Sequence, residues 1–329
     1  KSLGFRQRDF ALRNASWAVS DTFSNRSASQ GKREGFQSHM ENDTPISEIK
    51  LVIEDNDEFT SELKKVSKLF GADLIGVTTI DERWHYSHRV DTREFKPVEN
   101  ELPQDCTHVI VLGHSMKKEL VDLYPAAVAG AATGLEYSRE AAIVTQMTSY
   151  IRSLGYQAIG SMNDTALAVP YAIKAGLGEY ARNQLVITPE FGPRVRFSKI
   201  FTNLPLIVDR PAKYGIKEYC DICTKCADAC PPKALPYGKP SFATNSRSTI
   251  KGVKKWSANC EKCFGYWAKI KTDCAICMRV CPFNREFSGI GARLFWKLAT
   301  SRFRKIALWW ERKIGIAKQR KPESWWKSA

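Results

Sequence analysis

The most constraining feature of this sequence is a run of cysteines that begins two-thirds of the way along the chain. In the stretch CDICTKCADACP, the cysteines Cys220, Cys223, Cys226 and Cys230 are separated by two, two and three residues, and a proline follows the last one. In this spacing three thiolates bind one 4Fe-4S cluster and the fourth reaches a second cluster. One such run therefore requires another.

A second run follows, with its first part displaced from its last three cysteines by an insertion of ten residues. Cys260 and Cys263 precede the stretch CAICMRVCP, which contributes Cys274, Cys277 and Cys281. Disulfide bonds would suit a small secreted domain rather than one segment of a 329-residue chain, and structural zinc needs closed sets of four ligands. We therefore predict two 4Fe-4S clusters.

The two runs are expected to exchange their last cysteines, so that each run completes the cluster of the other. Cluster 1 is assigned Cys220, Cys223, Cys226 and Cys281. Cluster 2 is assigned Cys230, Cys274, Cys277 and either Cys263 or Cys260. We favour Cys263, because the aromatic segment 264–267 that follows it can pack over the cluster. Cys260 and Cys106 are then free thiols.

Composition limits what the rest of the chain can be. With 43% hydrophobic residues it can bury one large domain and a small insert. It has no run of about 18 apolar residues, so no membrane-spanning helix is predicted. The opening KSLGFRQRDF has arginines separated by Gln7 and no apolar stretch after them, unlike a twin-arginine export signal. We expect a cytoplasmic protein, with an exported form as the alternative if a leader has been removed.

Much of the formal charge of +15 lies near the end of the chain. From residue 291 onward, eleven Lys or Arg stand against two acidic residues. They are mixed with Phe295, Trp296, Phe303, Trp309, Trp310, Trp325 and Trp326. This mixture suits peripheral contact with an anionic membrane surface or a docking site for an acidic electron-donor protein. The alternative is a terminal helix whose aromatic residues pack on the core.

Hydrophobic periodicity divides the chain into four parts. Residues 1–50 are predicted to form an amphipathic helix and a polar arm, and 51–216 an α/β or α+β domain. Residues 217–290 form the ferredoxin-like domain, and 291–329 the basic aromatic tail. The apolar residues of the first helix include Phe10, Leu12, Trp17 and Val19.

Within the second part, strands are predicted at 72–78 and 108–112, and helices at 137–154 and 164–174. Neither a GxGxxG after a strand nor a P-loop occurs, so the sequence does not support nicotinamide or nucleotide chemistry.

The block GLGEYARNQLVITPEFGPRVR at 176–196, together with the cysteine runs, is similar to the corrinoid iron-sulfur reductive dehalogenases. Shorter matches at 83–86, 136–138 and 201–206 extend the resemblance over about residues 55–285. It implies a cobamide, its lower axial base displaced, in a nitroreductase-like domain beside the two clusters. The five histidines agree with this, because none lies in a DxHxxG context that would supply a lower cobalt ligand.

The resemblance also implies roles for individual residues. Tyr137 matches the tyrosine that donates the proton replacing the halide, and Asn163 and Arg196 match the residues that assist it. A phenol is ordinarily a poor acid at neutral pH, and a nearby guanidinium lowers its pKa and stabilises the phenolate. Trp84 and Tyr86 match pocket-wall positions, which would give an apolar slot for an organohalide. Whether cobalt attacks the carbon or draws on the halogen stays open.

Two alternatives accompany this interpretation. The stretch Asn-Asp-Thr at 163–165 is also strong helix-capping chemistry, so Asn163 could simply begin a helix. A sister family, epoxyqueuosine reductase, shares the 176–196 block and a cobalamin cofactor, acts on tRNA, and has an acidic proton donor near Asp164. Tyr137 has no counterpart role in that family. We therefore expect reductive dehalogenation, with an organohalide and an electron donor as partners rather than a nucleic acid.

Overall fold

A computed structural model describes residues 3–26, 39–40, 42–90, 96–100, 105–315 and 318–327. Its helices are α1 (Gln7–Arg26), α2 (Asn56–Leu69), α3 (Lys118–Val121), α4 (Gly130–Ser153), α5 (Ala168–Lys174), α6 (Ile216–Ile222), α7 (Lys225–Ala229), α8 (Cys260–Ile270), α9 (Ile276–Arg279), α10 (Ile290–Ala299), α11 (Arg304–Ile314) and α12 (Pro322–Lys327). Its strands are β1 (Leu74–Thr79), β2 (His88–Val90), β3 (Pro97–Glu99), β4 (His108–Ser115), β5 (Ala158–Ser161), β6 (Glu179–Tyr180), β7 (Val186–Ile187) and β8 (Val195–Thr202).

The central sheet has four strands in the order β1-β4-β8-β5. Every neighbouring pair in it is antiparallel, so the predicted mixture of helix and strand takes the α+β form. Side chains alternate across the sheet because successive residues of a strand point to opposite faces. Ile110 and Leu112 join the core under α2 and α4, whereas Val109 and Val111 join the core under α5.

The predicted N-terminal helix is present as α1, but an apolar stripe does not form its buried face. Ser16, Ser20 and Ser24 are buried at a spacing of four residues, whereas Val19 is half exposed. Small side chains let α1 approach α4 closely, and a Cβ added to Gly134 would lie 2.2 Å from the hydroxyl oxygen of Ser16. The Ser20 amide donates to the Ser138 hydroxyl at 3.1 Å. Packing of small residues therefore overrides the apolar pattern.

The predicted polar arm is described only in part, because residues 27–38 and 41 lie outside the described ranges. What is described of it runs along α4. The Asn42 side-chain amide donates to the Thr145 carbonyl at 3.2 Å, and Thr44 and Ser149 join their hydroxyls at 2.9 Å. This part of the arm therefore packs along α4.

Two predicted helices begin at different residues from those expected. The one expected at 137–154 starts earlier, at Gly130, and the one expected at 164–174 starts later, at Ala168. The later start follows from a turn, in which Thr165 has a φ of 60° and the Asp164 carboxylate accepts from the Met162 amide at 2.9 Å. Asn163 thus lies outside the helix, and its interpretation as a helix cap is wrong.

The tail forms three helices, and most of its aromatic residues pack inward. Phe295 is buried, and Trp296 and Trp310 pack against the same cluster as Cys220 and Cys281. Glu311, which is 1% exposed, pairs with both Lys225 and Arg285. Trp326 donates from its indole nitrogen to Asp9 at 2.8 Å. The packing interpretation therefore holds for this part of the tail.

A minority of the tail's large side chains face outward. On α11, Ile306 is 52% exposed and Trp309 62% exposed. The neighbouring Lys305, Arg312 and Lys313 are exposed as well. In the part of the chain that the structure describes, no helix is long and apolar enough to cross a membrane.

Candidate functional site

The first cysteine cavity lies beside α6 and α7 and the residues that follow α9. Its cysteines are Cys220, Cys223, Cys226 and Cys281. The structure therefore brings together the four thiols predicted for cluster 1, which are contributed by both runs.

Arg182 fixes the backbone around the first cysteine cavity. It is buried, and its guanidinium donates to the carbonyls of Cys220 and Cys223 at 2.7 Å and 2.9 Å. It also donates to three further carbonyls, those of residues 236–238. Sequence reasoning did not single this residue out, and its place in the 176–196 block was the only signal.

The second cysteine cavity has a volume of about 240 Å³. Its cysteines are Cys230, Cys260, Cys263, Cys274 and Cys277. Phe264, Tyr266 and Trp267 from α8 also line it, as the segment 264–267 was expected to do. The structure thus places both candidates for the fourth cluster 2 ligand at this cavity.

The two candidates have different surroundings. The Cys263 thiol interacts electrostatically with the other three assigned thiols, those of Cys230, Cys274 and Cys277. Cys260 interacts with Cys263, Lys255 and Tyr180. It also has weak sulfur contacts with the Gln184 amide at 4.0 Å and the Ala258 carbonyl at 3.9 Å. This geometry favours Cys263 as the fourth thiolate.

Burial and the neighbouring thiols both raise the pKa of several of these cysteines, a cost that bound iron would remove. Burial raises the pKa of Cys226 and Cys277 to about 12 and that of Cys274 to about 11, and neighbouring thiols add to each shift. A bound metal removes this cost, because it replaces the protons and neutralises the thiolates. In the described residues, no three His, Cys, Asp or Glu are placed to hold a single ion. The cysteines surround two cavities instead, which fits clusters.

The three residues predicted for catalysis come together from three different elements. Tyr137 lies on α4, Asn163 follows β5, and Arg196 lies near the start of β8. The Arg196 guanidinium stands 3.4 Å from the centre of the Tyr137 ring and donates to the Asn163 side-chain oxygen at 3.2 Å. The Asn163 amide nitrogen donates to the Tyr137 hydroxyl. Amide and guanidinium thus both contact the phenol.

Trp17 of α1 adds a fourth contact to this group. Its ring centre lies 4.6 Å from that of Tyr137. Tyr137 is half-buried and Asn163 is exposed, so the hydroxyl end of the group is open to a molecule from outside. Tyr137 and Asn163 are 26 positions apart in the sequence, which explains why no local pattern predicts this cluster.

Buried charged groups lie behind the three residues. Glu140 is fully buried and accepts from the Arg196 Nε at 3.0 Å. Lys199 is fully buried and donates to the carbonyl of Met162, the residue before Asn163. Burial lowers the pKa of Lys199 to about 8. Sequence reasoning missed both residues, although Glu140 follows Tyr137 by three positions and so shares its helix face.

Asp164 points inward, away from the exposed end of this group. Its side chain is buried and accepts hydrogen bonds from the Met162 amide and, at 2.7 Å, from the Thr165 hydroxyl. Burial raises the pKa of Asp164, and the Lys199 ammonium opposes that shift. The carboxyl group therefore stabilises the turn that carries Asn163.

The two predicted wall residues differ in their surroundings. Trp84 lines an apolar cavity of about 430 Å³, which also contacts Val169, Ile173 and Tyr180. Tyr86 is 39% exposed and does not belong to that cavity's lining, although Asp164 acts on it electrostatically. The cavity shares two lining residues, Gln184 and Cys260, with the second cysteine cavity. The two cavities are therefore adjacent.

Comparison with known proteins identifies relatives of this chain. The family model of the 4Fe-4S double cluster binding domain matches residues 219–284. The tetrachloroethene reductive dehalogenase of Sulfurospirillum multivorans is 35% identical over 271 residues, covering 75% of this chain and 54% of that protein. The chain is a homologue of the reductive dehalogenases. It spans about half the length of the curated relatives it matches.

A solved reductive dehalogenase, described together with a mechanism for B12-dependent dehalogenation, has the same fold. It superposes with a TM-score of 0.73 at 24% identity, covering 86% of this chain and 40% of that one. The predicted fold, a mixed helix and strand domain joined to a double-cluster domain, is thereby confirmed.

Epoxyqueuosine reductase is a more distant relative, as the sequence suggested. The enzyme of Lactococcus garvieae is 33% identical over 137 residues, covering 38% of this chain and 34% of that protein. The likeness to the reductive dehalogenases extends over twice as much of the chain.

Proposed function

We propose that this chain catalyses reductive dehalogenation of an organohalide. In that reaction the carbon–halogen bond breaks, two electrons and one proton are consumed, and a carbon–hydrogen bond and a halide ion form. The observation that carries the proposal is the meeting of Tyr137, Asn163 and Arg196. It places a phenolic proton beside a guanidinium and an amide in a chain that also holds two cysteine-lined cavities.

The electrons would pass through the two cysteine cavities. We assign cluster 1 to the first cysteine cavity and cluster 2 to the second. The eight thiolates named above bind them, with Cys263 as the fourth ligand of cluster 2. The cavities are close, because Cys226 and Cys230 lie at the two ends of α7 and Cys277 acts electrostatically on Cys226. Clusters carry electrons singly, so they suit the delivery of two electrons in separate steps.

A cobamide, when bound, would supply the low-valent cobalt that passes these electrons to the carbon–halogen bond. The residues present fit part of such a group, because the Trp84 cavity is apolar and adjoins the second cysteine cavity. Trp84, Ile173 and Tyr180 would contact the apolar macrocycle. Exclusion of water by these side chains would strengthen the electrostatic interactions there.

Tyr137 would hold the transferable proton at its hydroxyl oxygen. The positive charge of Arg196 favours the phenolate that remains after transfer. Asn163 donates to the same oxygen and so stabilises its negative charge. Tyr137 is thus the acid, and Asn163 and Arg196 stabilise its conjugate base.

Replacement of Tyr137 by Phe tests the function directly. The ring and its contact with Arg196 are retained, so iron and cobalt contents should not change. Turnover of a chlorinated or brominated substrate should fall by on the order of 10²- to 10⁴-fold, the usual contribution of a positioned general acid. Tyr150→Phe is the matched control, since Tyr150 lies on the same helix and packs against the core. Its turnover should equal that of the unmodified protein.

The same assay distinguishes dehalogenation from the alternative activity, epoxyqueuosine reduction. Arg196→Leu should also depress turnover, because the phenolate loses its cation. Asp164→Asn should matter much less, since the carboxyl group is buried in the turn. An inactive Asp164→Asn variant beside a fully active Tyr137→Phe variant would refute the proposal and favour epoxide reduction on tRNA.

The outward face of α11 supplies a proposal for partners and location. Its exposed Ile306 and Trp309 stand among basic side chains, a combination that suits peripheral contact with an anionic membrane surface. We therefore propose that the protein contacts an anionic membrane surface peripherally, with an electron donor as its second partner.

A further inference from the structure

The Arg196 side chain is long, and one contact determines where its guanidinium lies. Its Nε donates to the Glu140 carboxylate at 3.0 Å, which leaves Nη2 to reach Asn163. Glu140 is fully buried and stands one helical turn after Tyr137. A helix therefore carries both the phenol and the carboxylate, and the guanidinium is held between them.

The charge of Glu140 also acts on the phenol through Arg196. A carboxylate paired with the guanidinium offsets part of the positive charge that would otherwise favour phenolate. The second Glu140 oxygen, Oε1, is buried and has no hydrogen-bond partner among the described residues. Arg196 is therefore the hydrogen-bonding partner of Glu140 in this part of the chain.

The other charged groups nearby balance one another. Burial raises the pKa of Glu140, and Asp164 of the turn after β5 adds to that shift, whereas Arg196 and Lys199 of β8 oppose it. His114 of β4 is buried and interacts with Arg196. Glu136, which lies on α4 like Glu140, interacts electrostatically with both Glu140 and Arg139. The two acidic side chains, Glu140 and Asp164, are thus matched by two basic side chains, Arg196 and Lys199. Loss of the Glu140 charge alone would leave a net positive charge behind Tyr137.

We propose that Glu140 is a positioning residue that holds Arg196 against Tyr137 and limits how strongly its charge favours phenolate. This inference rests on the proposed function, in which Tyr137 is the proton donor. The position of the Glu140 carboxylate and its negative charge have different effects, and two variants distinguish them.

Glu140→Gln removes the charge and keeps an oxygen that can accept from Arg196. The tyrosinate absorbance of Tyr137 should appear at lower pH than in the unmodified protein, because the positive charge of the guanidinium is no longer offset. This is measured as tyrosinate absorbance in the reconstituted protein without substrate, after subtraction of the same titration in Tyr137→Phe. The alkaline limb of turnover should move to lower pH by the same amount, since the donor must be protonated.

Glu140→Asp keeps the charge but withdraws the carboxylate by one methylene. It should lower kcat about tenfold or more with little change in KM, because Arg196 shifts away from the phenol. The tyrosinate titration should stay near that of the unmodified protein.

Glu136→Gln is the matched control, since Glu136 is buried on the same helix but pairs with Arg139. It should change neither the titration nor kcat. A Glu140→Gln titration equal to that of Glu136→Gln, together with full kcat in Glu140→Asp, would overturn the inference. The titration needs no substrate, so a failed dehalogenation assay with a shifted titration would reject the proposed function and leave the role of Glu140 standing.

Discussion

Replacing Cys263 and Cys260 separately by Ser tests the cluster 2 assignment. The Cys263 thiol interacts with Cys230, Cys274 and Cys277, whereas Cys260 lies beside Lys255. Two complete 4Fe-4S clusters hold about eight iron atoms per chain. Cys260→Ser should keep that content, and Cys263→Ser should reduce it towards about four, because cluster 2 is left with three thiolates.

Loss of cluster 2 should also weaken the fold. The second cysteine cavity is lined by Cys230, by residues of α8 and by the segment 274–277, so a bound cluster would join these three parts of the chain through its thiolates. Because metal binding to such a site contributes free energy to folding, loss of the cluster removes that contribution. Cys263→Ser should therefore unfold at lower denaturant concentration than Cys260→Ser.

The assay is anaerobic reconstitution with iron, sulfide and a cobamide, followed by metal analysis and denaturant unfolding. Cobalt should bind at about one per chain in both variants if the corrinoid proposal is right. Cys260 and Cys263 lie on one helix face, three residues apart, so the double variant is included to detect replacement of one thiol by the other. Intact iron in Cys263→Ser with loss of iron in Cys260→Ser would refute the assignment.

Two further predictions concern stability and surface binding. Burial lowers the pKa of His114 to about 3, so its contribution to stability is complete above about pH 6.5 and falls by about 1.4 kcal/mol per pH unit towards pH 3. Unfolding of the cofactor-free protein in denaturant between pH 7 and 4 should depend less on pH in His114→Gln, and an equal dependence would contradict this. Joint replacement of Ile306 and Trp309 by Ser should reduce sedimentation with anionic vesicles without lowering solution turnover, whereas Val52→Ser, at an 81% exposed site elsewhere, should have no effect. Unchanged sedimentation would remove the membrane proposal.

The cysteine spacing by itself predicted how the cysteines group. Local backbone geometry places Cys220, Cys223 and Cys226 together, and the exchange expected between the two runs adds Cys281. The four thiols line one cavity. The choice between Cys260 and Cys263 was less secure in sequence, because both lie on one helix face and only the packing of α8 separates their surroundings.

Only the tertiary structure decided the surroundings of Tyr137, the proposed proton donor. Resemblance to a family supplied Tyr137, Asn163 and Arg196 as separate positions, whereas their contacts depend on three elements that meet across the sheet. The local signal at 163–165 favoured a helix cap, and the buried Asp164 and Lys199 instead hold it as a turn. Burial outweighs local propensity here, because a charged group taken out of water must find its partner wherever the chain supplies one.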